Sequence, residues 1–470
     1  MAPDLPLFPG IVIHWTYLYS MNMALSLRRI RFSRRQIWIL AFLFLPLLTQ
    51  AAEPVSLSLE DAVRRALDQS LNLKKEAIDL AQTQYSATHL WSEIFPGFSL
   101  RAGLNFLPST PLFTGPGFRY NDEDLAYSLY FGVSLSLNPS LRSSMKRIEL
   151  AYRTQLLNYE NASKQLEIQV IKNFLYLITR KEFIGYMEES LELAQQKLEN
   201  DRIARENGIL SEVVWLNTRL GVETAKYNLS NAQGVYQTLL EEFLALLGME
   251  VNSDVILRGT IELVPVFSDP EQLILEYLPK RPDIISQRQT IERLELSKNV
   301  TALANRSPTL ELGTQWEAAP GGGGLNGPFT DKVGGSVTLR IPIDSWIPGT
   351  RQNQTVRAAD AEVEKARLDL QNTETSAKTE IRSLISRLHR TWENYEIALL
   401  RVEIAQRTVE ATEEGFRNGT VEFQELKDRR DDLTDARQGL LQREYDYQAL
   451  FLDLAAAINA EWKTLIRSIQ

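Results

Sequence analysis

Two carboxylates three residues apart, Glu425 and Asp428, stand six and nine positions past a glycine in "FRNGTVEFQELKDRRDDL" (Phe416 to Leu433). On a helix that spacing puts both side chains on one face at successive depths. Such a pair can draw in cations, or it can simply face water within the charged run "KDRRDD". Other chemistry is thinly supplied. Cys is absent, which excludes disulfides, thiolate metal sites and a Cys nucleophile. His14, His89 and His389 are isolated, and His389 with Glu393 makes a four-residue pair lacking a third ligand. The run Gly321 to Gly324 joins two expected strands, whereas a phosphate cradle needs a strand followed by a helix. No enzyme, cofactor or metal site is expected.

The chain that must position those carboxylates has 470 residues, 44% of them apolar, with 24 Gly and 19 Pro. That composition suits ordered structure throughout. Near the start, "RRIRFSRR" runs into "IWILAFLFLPLL" and then "TQAA", a basic, apolar and small-residue succession that reads as an export signal over residues 1–51, with translation starting at Met1, Met21 or Met23. The apolar run has about 12 residues where a span needs about 20. Removing the signal takes away five Arg and one Asp and moves the net charge from −9 to −13. An acidic exported chain argues against nucleic acid as a partner.

One plan is written twice, over 52–265 and 266–470. "LSLEDAVRRALDQSLNLKKEAIDLAQTQYSATHL" (Leu57 to Leu90) has apolar residues at threes and fours and predicts a helix, with Ser58 and Asp61 resembling a capping box. Two strands follow, Phe98 to Phe106 and Tyr127 to Leu137, each with an apolar residue at every second position. From Leu141 to Glu206, Val170, Leu177, Ile184, Leu191 and Leu198 recur at sevens, a coiled-coil seam on a helix approaching about 100 Å. Asn207-Gly208 breaks it, and another helix runs to about Leu247. After a linker the order restarts at an offset of 211: a helix over "EQLILEYLPKRPDIISQRQTIERLELSKNVTALAN", strands "PTLELGTQW" and "SVTLRIPID" around a glycine-rich loop, a helix from Arg351 to Arg417 and a last one from Val421 to Trp462.

The four strands have about 9 to 11 residues, with one apolar face and one face of Ser, Arg, Gly, Asn, Glu, Gln and Thr, which suits a membrane barrel with a wet lumen as well as a small half-exposed sheet. Four strands cannot close a barrel alone, because open edges would leave backbone groups unpaired in hydrocarbon. Several chains must share one barrel.

The duplicated order, together with "F-R-N-G-T-V-E-F-Q-E-L-K-D" and its twin "R-E-N-G-I-L-S-E-V-V-W-L-N", resembles the TolC-type outer-membrane efflux proteins over nearly the whole exported chain. The fold class implied is mainly α with a membrane β-barrel: a homotrimer whose four strands per chain close a 12-stranded barrel, continued by a 12-helix tunnel into the periplasm. The function implied is an exit duct of a tripartite efflux pump or type I secretion system. Its partners would be a periplasmic adaptor, an inner-membrane transporter of RND, ABC or MFS type, and outer-membrane lipid. The resemblance places Asn207, Gly208, Phe416, Asn418, Gly419 and Val421 at the periplasmic tips and adaptor contact, and Glu425 and Asp428 around a narrow entrance sensitive to protonation. Val421 and Val214 replace the charged residues with which some members latch the entrance, so no salt-bridge latch is expected there. The rival readings are a periplasmic adaptor, which would carry one helical hairpin between soluble β-domains, and a structural envelope coiled coil without a pore.

Overall fold

The computed structural model describes residues 55–106, 125–320 and 328–463, apart from 252, 254, 260–262, 264 and 267–268. The expected export signal and the middle of both strand-to-strand loops lie outside the described residues. In chain order the elements are β1 (Val55–Ser58), α1 (Leu59–Gln69), α2 (Leu71–Thr88), β2 (Gly97–Phe106), β3 (Leu125–Leu137), α3 (Leu141–Glu206) and α4 (Glu212–Leu246). The second half has β4 (Val255–Arg258), α5 (Pro270–Tyr277), α6 (Pro282–Arg306), β5 (Thr309–Pro320), β6 (Phe329–Arg340), α7 (Arg351–Arg417) and α8 (Phe423–Ala457).

The 211-residue offset survives in three dimensions. One core gathers Val170, Phe174 and Leu177 of α3 with Leu240, Phe243 and Leu244 of α4. The other gathers their counterparts Ile381, Ile385, Leu388, Phe451, Leu454 and Ala455 from α7 and α8. Ile171, Leu175 and Leu452 join the two. Burying each large apolar side chain stabilises by about 1.5–3 kcal/mol, so these cores anchor long helices whose remaining length has little to bury. The helix ends repeat as well. Gly248 (φ +66°) closes α4 and Asn459 (φ +55°) closes α8, with Met249 N–H donating to Leu244 and Ala460 N–H to Ala455. Asn is the non-glycine residue best suited to this left-handed position, and Lys164 Nζ and the Lys280 carbonyl hold its side chain.

Three sequence expectations are revised. Each repeat's first helix is interrupted, at Ser70 in one copy and at Leu278–Arg281 in the other, where the residues before α2 and α6 take extended ψ of 120° and 134°. Pro282 forces the second break, because a proline disfavours helical backbone in the residue before it. Ser70 makes the first by capping, its hydroxyl accepting from Leu73 N–H. Leu57 lies in a strand, since β1 pairs in parallel with β4 from the linker, Val55 opposite Val255 through Ser58 opposite Arg258. Ser58 nonetheless caps α1 as expected, accepting from Asp61 N–H at 3.1 Å and donating to its carboxylate at 2.7 Å. Finally, Phe329 to Gly335, expected in a loop, extend β6 along β5 from Pro320 back to Thr314.

Candidate functional site: an exposed apolar sheet and two helical tips

The strands form one antiparallel sheet in the order β2-β3-β5-β6. Its register aligns Leu100 with Phe131, Phe131 with Trp316 and Trp316 with Val333, so one face is apolar across all four strands. That face is bare: Leu100 is 72%, Leu104 68%, Val333 76% and Val337 75% exposed. The opposite face carries Ser99, Arg101, Gln315, Ser336 and Arg340. Gly132 and Gly313 make room on it, since a Cβ there would lie 3.0 Å from Ser99 Oγ and 2.9 Å from Ser336 Oγ. In water the bare face would be costly at about 25 cal/mol per Å²; in hydrocarbon it is at home.

At the helical side of β2, rings continue the apolar surface. Tyr85, His89, Trp91, Phe95, Phe98 and Phe131 follow one another with centroids 4.1, 6.4, 5.1, 5.8 and 6.5 Å apart. Aromatic rings of this kind collect where a bilayer meets water. Among the described residues no helix is long and apolar enough to cross a membrane.

At the far end of the helices, the two Asn-Gly breaks are the same motif built twice. Gly208 has φ +73° and Gly419 +72°. Gly208 N–H donates to Arg205 and Ile209 N–H to Ala204, while Gly419 N–H donates to Phe416 and Thr420 N–H to Gly415. These are Schellman ends, which satisfy the last helical carbonyls and require a left-handed residue. A Cβ at Gly208 or Gly419 would meet nothing within 4 Å, so only backbone strain selects glycine there. Gly415, which the sequence did not single out, is selected by space: a Cβ would lie 2.6 Å from Val421 Cγ2.

The tips are tied by contacts that sequence reasoning missed. Thr218 of α4 donates to Asp201 of α3, Asp201 lies 3.7 Å from Lys197 of the same helix, and Lys197 Nζ sits 3.0 Å from the ring centroid of Phe423 of α8. Phe423 then meets Phe416 of α7 edge-on at 5.8 Å. One chain of contacts thus crosses four helices in the order α4-α3-α8-α7. Burial pushes the Lys197 ammonium below its usual range, against the attraction of Asp201 and helped by Lys427. Only apolar-looking helix faces in the sequence hinted at such a crossing, and they do not say which helices are neighbours.

Further along the α3–α8 seam, Arg437 bonds Glu189 at 3.1 Å, Tyr176 lies 5.0 Å from Tyr445, and Lys172 pairs with Asp453. Glu444 is the dissonant member. Burial, and then the Glu182 carboxylate, push its carboxyl up. Because the folded-state value is raised, the ionised group costs stability above it, and that cost disappears as pH falls through it.

Glu425 and Asp428 lie in the first turns of α8, both exposed, while Leu426 and Leu433 turn inward. Asp428 accepts from Gln424 at 2.8 Å. Asp432 and Asp435, also exposed, extend the same face at steps of four and three. Among the described residues no group of three or more potential metal ligands converges.

Both flanks of the single chain are open. β2 and β6 end the sheet. α4 leaves Val213, Leu216, Leu220 and Tyr227 exposed on one flank, and α7 leaves Ile397, Leu400 and Ile404 exposed on the other.

Residues 273–460 match the outer membrane efflux protein family. Three solved structures are similar. The CmeC outer membrane channel of Campylobacter jejuni is 18% identical, with 87% of this chain and 88% of that one covered at a TM-score of 0.67. CusC, a transmembrane channel, is 15% identical, with 88% and 96% covered at 0.68. The open-state MtrE outer membrane channel of Neisseria gonorrhoeae is 15% identical, with 86% and 89% covered at 0.65. At such identities the likeness is one of fold. No curated protein matches the chain.

Proposed function

We propose, from the match of residues 273–460 to the outer membrane efflux protein family, that the protein is the exit duct of a tripartite efflux pump or type I secretion system. That match, with the likeness of fold, supports an outer-membrane location with the long helices on the periplasmic side. The observation that carries the reading is the four-stranded sheet with a continuous bare apolar face, joined end-on to helices of 66 and 67 residues. A soluble adaptor or a pore-free coiled coil has no use for such a face.

Unpaired edges in hydrocarbon would leave a row of backbone donors and acceptors unsatisfied, so β6 of one chain must pair with β2 of the next. The apolar rows on α7 and α4 lie on opposite flanks, as head-to-tail ring closure requires. Three chains give a 12-stranded barrel, and α3, α4, α7 and α8 of each chain give a 12-helix tunnel. The tips at Gly208 and Gly419 then face a periplasmic adaptor beneath, which links the duct to an inner-membrane transporter. Glu425 and Asp428 face the lumen there.

Conductance tests the duct. The purified full chain added to a planar lipid bilayer should give discrete current steps in neutral salt. A protein that inserts and seals the bilayer without any current is not a duct.

A further inference from the structure

In each repeat the passage from helix to strand lies where the tunnel meets the membrane, and in the second repeat that passage holds an unusual cation. Arg306 is the last residue of α6, three positions before β5 begins. Its guanidinium carbon sits 5.5 Å from the ring centroid of Trp346, which lies in the turn between β6 and α7. Its Nε is shut off from solvent with no hydrogen-bond acceptor. Among the described residues no carboxylate forms an ion pair with it, and the nearby Glu311 is paired with Arg340 at 3.6 Å. On a permanently charged group, the Nε–H donor is thus left without an acceptor among the described residues.

The surroundings say what would supply one. Past Arg340, the last paired residue of β6, the apolar surface runs on through Ile341 (59% exposed), Ile343 (65%), Trp346 (66%) and Ile347 (52%). A cation at the edge of a bare apolar strip suits an amphiphile with an anionic head and hydrocarbon tails. Arginine pairs with phosphate through two parallel bonds, and its stem and a tryptophan ring both favour the boundary between hydrocarbon and water.

We infer that Arg306 and Trp346 hold the headgroup phosphate of a phospholipid in the periplasmic leaflet, with Ile341, Ile343 and Ile347 against its chains. The site rests on the outer-membrane reading above. It fixes the depth of the barrel at its helical end and orders the lipid around each copy of the second repeat. The first repeat meets the same boundary with the rings of Trp91 and Phe95 and no matching arginine, since Phe95 stands 211 positions before Arg306.

Native mass spectrometry of the detergent-purified full chain, titrated with dioleoyl phosphatidylglycerol, tests the assignment. Wild type should retain this lipid and not dioleoylglycerol, which has the same chains and no phosphate. Arg306→Gln should weaken retention about tenfold, the loss of one charge-assisted pair, and Arg306→Lys should restore part of it. Trp346→Leu, at an exposed position, should weaken retention too, and it decides the matter if Arg306→Gln does not assemble. Equal retention by wild type and these variants overturns the site. Displacement of the lipid by millimolar inorganic phosphate overturns it as a lipid site and makes it one for soluble anions. A chain that does not insert into liposomes fails the outer-membrane reading instead, and the lipid site with it.

Discussion

Changing Glu425 and Asp428 together to alanine lowers the duct's preference for cations several-fold, and multivalent cations then block only at concentrations about tenfold or more higher. Both side chains are exposed on one face of α8, and neither is neutralised by a basic partner in its own chain, Asp428 bonding only to Gln424. In the proposed ring of three chains they would bring six carboxylates together. Charges a few ångströms apart near a protein surface interact by about 1–4 kcal/mol, and about 1.4 kcal/mol is a tenfold change in occupancy. Asp435, and Asp432 although paired with Arg429 at 3.1 Å, carry the acidic face deeper, so some selectivity should survive the double change and fall further when they are replaced as well. Bilayer recordings in a salt gradient measure all of this. Unchanged selectivity and block in the double variant would make both residues ordinary surface charges.

Phe423→Ala loosens the resting tunnel and raises its single-channel conductance. Phe423 joins α8 to α3 through the Lys197 ammonium and to α7 through Phe416. A largely desolvated cation–π contact contributes about 2 kcal/mol and an edge-on ring pair about 0.5–1.5 kcal/mol. With Val421 and Val214 at the positions where a salt bridge was not expected, these ring contacts bind the carboxylate-bearing end of α8 to its neighbours together with the Arg430–Glu413 ion pair, which joins α8 to α7 at 2.6 Å. Phe423→Tyr, which keeps a ring face for Lys197, should conduct like the parent. Hydrogen exchange at the tip should speed up in Phe423→Ala and leave the cores around Phe174 and Ile385 protected. If exchange and conductance both match wild type, the tie is incidental to the width of the entrance.

How much of this was legible depended on the range of the signal. Period-two strands and period-seven helices are local patterns, so β2, β3, α3 and α7 could be read residue by residue. The 211 offset carried the rest of the architecture, because Val170 and Ile381 or Gly208 and Gly419 answer each other along the chain. β1 and β4 were hidden because four residues show no period and a parallel pair has no turn to announce it. Phe329 to Gly335 were hidden because Gly334 and Gly335 erase the alternation of the strand they lie in. The Lys197–Phe423 tie lies across repeats, 226 residues apart in sequence, and nothing local links the two. Arg306 was passed over for the same reason, since its significance comes from Trp346 and from what is missing around it.

On the function proposed above, the sheet is one third of a barrel closed by other copies of the chain. Lysine-directed crosslinking of the protein in isolated outer membranes, read on a denaturing gel, tests it most directly. A barrel shared by three chains should give a ladder of one, two and three chains that converges on the three-chain band as crosslinker is raised, with nothing larger from this protein alone. A single-chain band that persists at saturating crosslinker, from protein folded in the membrane, would contradict it.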